Sequence, residues 1–346
     1  MSTKKKSTTE TLVPNQTIKQ KGNTKPSSNT TETMVSAASS APPNHLFMNG
    51  KLKQQNGHMI MTNVYRPTRK KYLNIDSRFH DGYQTTREKE KGLASFHYTL
   101  PQTIFDVKSI RAKVVELPHS FYNYSENAKN TFVHISGAEI TDGTYKLPDG
   151  HYQTVSDLIT ELNYCFPTDN IEATYDGFNM KATITNNTAS PVTLKWNIDK
   201  DGSTDRYDLQ SKLGWCLGFR EESVTIQHGQ SATGEGIVNV CPFKYLYLVV
   251  DDYLKSNPSS FISPLRDSFL NKSILSRISI NSTTLTTGQF GNSIISVPTY
   301  NLISDTRTYM GKSNLQKMKI EVVNEWGHVM DLNSIPISFC LEVDYE

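Results

Sequence analysis

Strict two-residue alternation of apolar and polar side chains recurs near both ends of this sequence and leaves few folds open to it. In ISFCLEVDYE, Ile337, Phe339, Leu341, Val343 and Tyr345 alternate with Ser338, Cys340, Glu342 and Asp344. KMKIEVV repeats the pattern with Met318, Ile320 and Val322, and SFHYTLP with Phe96, Tyr98 and Leu100. Successive side chains of a strand point to opposite faces, so each segment is predicted to be a strand with one buried face. In that register Phe339 and Leu341 face a core and Cys340 and Glu342 face away, so Glu342→Gln is expected to change stability little. YLYLVV (245–250) is apolar on both faces and reads as a central strand covered on both sides. Asn324–Gly327 has the composition of a hairpin turn between two such strands.

One clear helical pattern interrupts the strands. In TVSDLITELNY, Val155, Leu158, Ile159 and Leu162 fall on one helix face, with Thr154 as N-cap and Asp157 in the first turn. RYDLQSKL is a weaker helical stretch ending at Gly214, read as its C-cap. Both lie between all-β flanks, near the short strands NMKATITN and PVTLKWNI. The chain therefore divides into a segment 1–70, strand-rich flanks 71–130 and 241–346, and an α/β insert at 131–240.

Charge sharpens that division. Residues 1–71 hold twelve Lys and Arg against two acids, a net of +10, while the remainder holds 24 basic and 32 acidic residues, a net of −8. Residues 1–43 are rich in Ser, Thr, Asn, Lys and Pro and contain no aromatic residue, so they bury too little apolar surface to offset ordering entropy. Apolar islands follow at Leu46, Phe47, Met48 and at Met59, Ile60, Met61. The segment is read as a basic arm that orders on a partner. Its candidate contact residues are Lys4, Lys5, Lys6, Leu46, Phe47, Met48, Met59, Ile60, Arg66, Arg69, Lys70 and Lys71. No apolar run is long enough for a membrane-spanning helix. The start of the sequence has neither an apolar signal region nor a glycine at position 2, so neither secretion nor myristoylation is expected.

The sequence offers little chemistry. Met310–Ser313 ends like a phosphate-binding loop, but Thr306 stands where the loop's first glycine belongs. Asn197, Asp199, Asp201, Gly202 and Asp208 imitate calcium-loop spacing; a preceding strand and the intervening Lys200 favour a tight Asp-Gly turn. His80-Asp81 lacks a nucleophile motif to serve, and the nine histidines show no metal-ligand spacing. Cys165, Cys216, Cys241 and Cys340 are far apart and read as reduced, mostly buried thiols. Asn-x-Ser/Thr sites such as Asn123 and Asn186 are expected to stay unmodified. No catalytic residue, metal or cofactor is expected, and the chain is not read as an enzyme.

Several segments in order nevertheless resemble a known family. They are LNIDSR (73–78), KSIRAKVVELP (108–118) with HSFY (119–122), NTF (130–132), LPDGHY (147–152) and KLGWCLGF (212–219). They are completed by Tyr309–Gly311 and by LQKMKIEVVNEWGHVMDLNSIPISFCLEVDY (315–345). Over residues 71–346 this order resembles the jelly-roll minor capsid and penton-like proteins of nucleocytoplasmic large DNA viruses, the giant and chlorella-type viruses. The resemblance implies a mainly β fold: a single jelly-roll β-sandwich from 71–130 and 241–346, carrying the α/β subdomain, with a long extended N-terminal arm. It implies a structural minor capsid protein of an icosahedral double-stranded DNA virus, either the fivefold-vertex penton or a component bracing the major capsid lattice from beneath. Expected partners are the major capsid protein, other minor capsid proteins, copies of itself in a homopentamer at the vertex, and the inner viral membrane through the arm. The expected location is the virion, with assembly in the host cytoplasm. The alternatives are a nucleic-acid-binding virion protein acting through the arm, or a carbohydrate-binding jelly-roll module. Nucleic acid is not the expected partner, because the arm lacks interleaved aromatics for base stacking.

Overall fold

The computed structural model describes residues 67–346 apart from 88–89, 91, 207, 255–260 and 281–290. Of the expected arm residues, Lys4 to Lys6, Leu46 to Met48, Met59, Ile60 and Arg66 lie outside the described residues. The first strands are β1 (Arg69–Asp76), β2 (Ser95–Pro118), β3 (Phe132–Gly137) and β4 (Gly143–Lys146). Helix α1 (Val155–Cys165) precedes β5 (Ile171–Asp176), β6 (Lys181–Asn186) and β7 (Val192–Lys195). Short helix α2 (Leu213–Leu217) leads to β8 (Ser223–Ile226) and β9 (Ser231–Thr233). The chain then forms β10 (Tyr245–Asp251), β11 (Ile274–Ser279), β12 (Ser293–Ser296), β13 (Leu302–Ser304), β14 (Arg307–Val323) and β15 (Ser338–Tyr345).

The fold is mainly β, a jelly roll carrying an α/β insert. Eight strands make one curled antiparallel sheet in the order β1-β15-β2-β14-β10-β11-β13, with β12 also paired to β2. The curl comes from β2, whose 24 residues serve both layers. Its first half pairs with β14 and its second half with β15 and β12. The strand turns at Asp106, which has φ +50°, opposite the register breaks of β14 where Gly311 has φ +88°. Bulges of this kind bend a strand and let one sheet close over its own core. That core gathers Phe96, Leu100, Ile104, Ile110, Val115, Leu246, Leu248, Ile278, Met318, Ile320, Phe339 and Leu341. The two-residue alternation at 95–100, 318–322 and 337–345 is thus the inner face of the sandwich. Tyr247, Val249 and Val323 are buried on the opposite face, in a smaller cluster that includes Ile274. The doubly apolar strand 245–250 is covered on both sides.

A second core lies within residues 124–240, where α1 packs against β5 and two small sheets, β4-β3-β7-β8 and β5-β6-β9. It is built from Tyr124, Ile135, Leu158, Leu162, Ile184, Leu194, Trp196 and Leu217. Helix α1 begins with a capping box: Thr154 accepts from the Asp157 backbone N–H, and the Asp157 side chain accepts from that of Thr154. The segment's two ends meet. Asn123, fully buried, donates from Nδ2 to the Tyr152 and Val240 carbonyls at 2.8 and 2.7 Å and accepts from the Tyr152 N–H.

Four expectations need correction. RYDLQSKL is not a helix ending at Gly214. A 3-10 turn at Leu209–Ser211 is followed by α2, which closes at Gly218 with φ +100°. The break falls at Lys212, whose backbone is extended and whose ammonium is drawn to Asp199 and Asp205. Gly214 sits inside α2 because a Cβ there would lie 2.3 Å from Trp196 Cγ. The Asn324–Gly327 turn forms, with the Gly327 N–H on the Asn324 carbonyl at 3.0 Å. The strands on either side of it do not pair; the returning chain makes isolated bridges from Val329 to Val323 and from Asp331 to Leu93, and β15 inserts between β1 and β2. Among the cysteines only Cys216 is buried; Cys165, Cys241 and Cys340 are half-buried. Glu342, expected on an open face, is almost fully buried.

Candidate functional site

The basic segment enters the fold as its outermost strand. Arg69, Lys70 and Lys71 open β1, which pairs with β15 from Arg69↔Tyr345 to Asp76↔Ser338. No described strand lies on its other edge. Alternation sends Lys70 and Tyr72 to the outer face and turns Lys71 back over the Tyr345 ring, 4.7 Å from its centroid. Arg69 is exposed. These three are the only candidate arm residues among the described ones, and the strand keeps them together.

Their electrostatic partner is a residue the sequence did not single out. Glu342 on β15 accepts from Lys70 Nζ at 3.3 Å, from Arg111 Nη2 at 2.7 Å and from the Tyr72 hydroxyl at 3.1 Å. Lys113 Nζ lies 3.5 Å away. Desolvation pushes the Glu342 carboxyl up. The bonds from Arg111, Tyr72 and Lys70, with the charge of Lys113, outweigh it and hold the group at about 2. Three cations surround this carboxylate on the outer face of β1-β15-β2, where Asp344, 4.0 Å from Lys70, and Glu116, which accepts from the Ser338 hydroxyl, add further negative charge. The available signal was the two-residue spacing of Lys70 and Tyr72 in β1 and of Arg111 and Lys113 in β2, where Lys113 is the extra residue of a bulge. Only the pairing of those strands with β15 shows that they meet at one carboxylate.

The acidic stretch 197–208 is a lysine site. The Lys212 side chain is 1% exposed, with Nζ 2.8 Å from Asp199 Oδ1 and 2.9 Å from Asp205 Oδ2. Lys129 reaches the other Asp199 oxygen at 3.2 Å. Asp201 instead caps its own turn, accepting from the backbone N–H and hydroxyl of Ser203. Ammonium groups occupy the positions a cation would take, so the tight-turn reading stands. His328 packs near this cluster. Burial, with the charges of Lys129 and Lys212, lowers its imidazole to about 4, so it is neutral at physiological pH.

The remaining motifs are placed as follows. His80 is half-buried against Tyr83 and Phe96, its Nδ1 at 2.8 Å from the Asp81 carbonyl oxygen, while the Asp81 carboxylate accepts from the Thr99 hydroxyl and N–H. Met310–Ser313 lies at the register break of β14 and leads into more strand, without the helix N-terminus a phosphate-binding loop precedes. Asn123 and Asn186 are buried and hydrogen-bonded through their side-chain amides, which closes both sites to modification in the folded chain. Burial pushes the Cys216 thiol up to about 12, far from a reactive thiolate. No described helix is long and apolar enough to cross a membrane.

No family model matches the sequence, and no curated protein matches it. Among solved structures the fold is similar to that of the mavirus penton protein, with 14% identity and a TM-score of 0.39, covering 80% of this chain and 100% of that one. It is also similar to a chain in the cryo-EM structure of the Sputnik virophage, with 12% identity and a TM-score of 0.35, covering 81% and 98% of the two chains.

Proposed function

We propose that the chain is a structural subunit of the capsid of an icosahedral double-stranded DNA virus. It stands either at the fivefold vertex as the penton or beneath the major capsid lattice as a brace. The observation that carries this reading is the segregation of charge along a continuous path. A segment of +10 runs into the outermost strand of a jelly roll whose remaining residues sum to −8. An edge strand has unpaired backbone groups to offer and a basic one attracts acidic surfaces, so this edge suits docking between subunits. The ordered family resemblance over 71–346 supports the same reading.

In this reading the partners are the major capsid protein, other minor capsid proteins and, at the vertex, four further copies of the chain in a homopentamer. The protein resides in the virion and is assembled in the host cytoplasm. The arm, including Lys4 to Lys6 and the islands Leu46–Met48 and Met59–Met61, docks on neighbouring subunits or the inner membrane. Its charges steer encounter and its apolar islands give the salt-resistant part of binding.

Deletion of residues 1–65 tests it. The truncated chain should stay soluble and folded, with unchanged thermal unfolding, yet fail to incorporate stably into particles. Wild-type incorporation would refute the assembly role of the arm. Tight, salt-dependent DNA binding that vanishes with the same deletion would instead identify a nucleic-acid-binding virion protein.

A further inference from the structure

Two described surface features match each other in size and in the charge around them. The first is Phe178, at the tip of the β5–β6 hairpin and 97% exposed. The tip is built to hold it there. The Phe178 N–H donates to Asp176 Oδ1 at 2.9 Å, the Met180 N–H to the Asp176 carbonyl at 2.8 Å, and the Lys181 N–H to Asn179 Oδ1 at 2.9 Å. The Val238 N–H then donates to the Met180 carbonyl at 2.9 Å, tying the hairpin to the chain beyond β9. Met180 and Ile237, both largely exposed, stand beside this tie. A pre-organised turn that displays an aromatic ring with apolar neighbours has the character of an interface anchor, because the ring loses little entropy on docking.

The second feature is a cavity of about 320 Å³ on the jelly roll, between the turn after β1, the start of β2 and the chain leading into β15. Its wall mixes apolar Leu93, Ile335 and Pro336 with His80, His97 and Ser334, and its rim holds Asp81 and Glu90. This is the small end of the range for ligand-sized cavities and is roomy for one phenyl ring. Lys181, three residues from the knob, has the charge opposite to that of the rim.

We propose that Phe178 of one copy of this chain seats in this cavity on a second copy. The proposal rests on the reading of the chain as an assembly subunit and adds the partner and the contact. Knob and cavity are different surfaces, so the contact is heterologous. Each copy donates one knob and accepts another, and the chain of contacts closes into a ring where the rotation allows. Burying the ring and its apolar neighbours drives the contact, while Lys181 against Asp81 and Glu90 sets its orientation.

The test uses the full chain. A Phe178→Cys chain mixed with an Ile335→Cys chain should form a disulfide-linked dimer under mild oxidation, in a yield that neither variant alone reaches over its native cysteines. In sedimentation, Phe178→Asp should weaken self-association more than tenfold, as expected for loss of an anchor, with unchanged thermal unfolding because the side chain is solvent-exposed. A wild-type chain that stays monomeric at all concentrations, an assembly unaffected by Phe178→Asp, or a mixture that fails to cross-link overturns the contact. Incorporation of the Phe178→Asp chain into particles at the wild-type level would overturn it too, and would leave the capsid reading standing. Exclusion of the wild-type chain from particles sinks that reading separately.

Discussion

Asp252→Ala should be among the most damaging single substitutions in the jelly roll. Asp252 and Arg307 form an ion pair inside the sheet, 3.2 Å from Oδ2 to Nη1, with side chains 4% and 6% exposed. The same Oδ2 accepts from the Tyr309 hydroxyl at 2.6 Å, and Oδ1 from the Leu254 N–H at 3.0 Å. Burial, then the charge of Asp252, pushes the Tyr309 phenol far above its usual range, so it remains a donor throughout any ordinary assay. Alanine leaves the guanidinium with neutral acceptors only, chiefly the Val250 and Ser273 carbonyls at 2.7 and 3.0 Å, and strands two donors. Breaking a buried pair from one side costs about 3–5 kcal/mol, and the stranded donors are part of that figure rather than an addition to it.

Two further variants make the reasoning falsifiable. Asp252→Asn keeps the shape and loses the charge, so it should cost about 1.5–3 kcal/mol. Arg307→Met combined with Asp252→Leu removes both charges and fills their volume, so it should be much less damaging than Asp252→Ala alone. Urea unfolding at pH 7, followed by far-ultraviolet circular dichroism, measures all three. The expected order of loss is Ala, then Asn, then the double replacement, with slopes unchanged. If Asp252→Ala stays within about 1 kcal/mol of wild type, or the double variant costs the sum of its parts, the pair does not act as a buried unit.

Phe339→Ala should cost about 3–5 kcal/mol through the cavity it leaves. Glu342→Gln should cost about 1–2 kcal/mol at neutral pH, since its three cationic partners are partly exposed and screened. Because Glu342 is held at about 2, below the ordinary 4.5, its contribution is full above pH 4.5 and is lost as pH falls toward 2. Glu342→Gln should therefore flatten the acid limb of the stability profile between those values, and a parallel profile would refute the assignment. Residues 122–241, expressed alone, should fold with a cooperative transition of their own, and Asn123→Ala should lower it. A fragment without near-ultraviolet circular dichroism would show that the second core depends on the jelly roll.

Much of the fold was legible because alternation is a local property that tertiary structure here reinforces. Phe339, Leu341, Ile320 and Met318 are buried where period two puts them, and Thr154 caps its helix by a bond between residues three apart. What the sequence could not show depends on pairing across long separations. Glu342 lies 231 residues from Arg111 and 272 from Lys70, and no local pattern joins them. Lys212 illustrates the converse. Its neighbours read as helical, yet the fold spends that turn on delivering an ammonium to Asp199 and Asp205, so a distant charge overrides local propensity. The calcium-like spacing was a true acidic cluster whose counter-charge came from Lys129 and Lys212, outside the motif.

The insert's closed neck bears on how one chain can hold both kinds of surface. Asn123 joins the two ends of the second core by bonds to residues 152 and 240, so the insert leaves and re-enters the jelly roll at one place. A segment whose ends are adjacent can be set into a loop without stretching the strands on either side, and its own hydrophobic cluster holds it. The jelly roll can then keep the basic edge and the cavity in fixed register, because neither shares a side chain with the insert's core. The insert in turn can carry an exposed aromatic at a hairpin tip at no cost to the sandwich. A fully exposed phenylalanine contributes nothing to the fold that displays it. Phe178 is therefore free to serve a contact between copies, and the same chain presents a cavity with room for its ring.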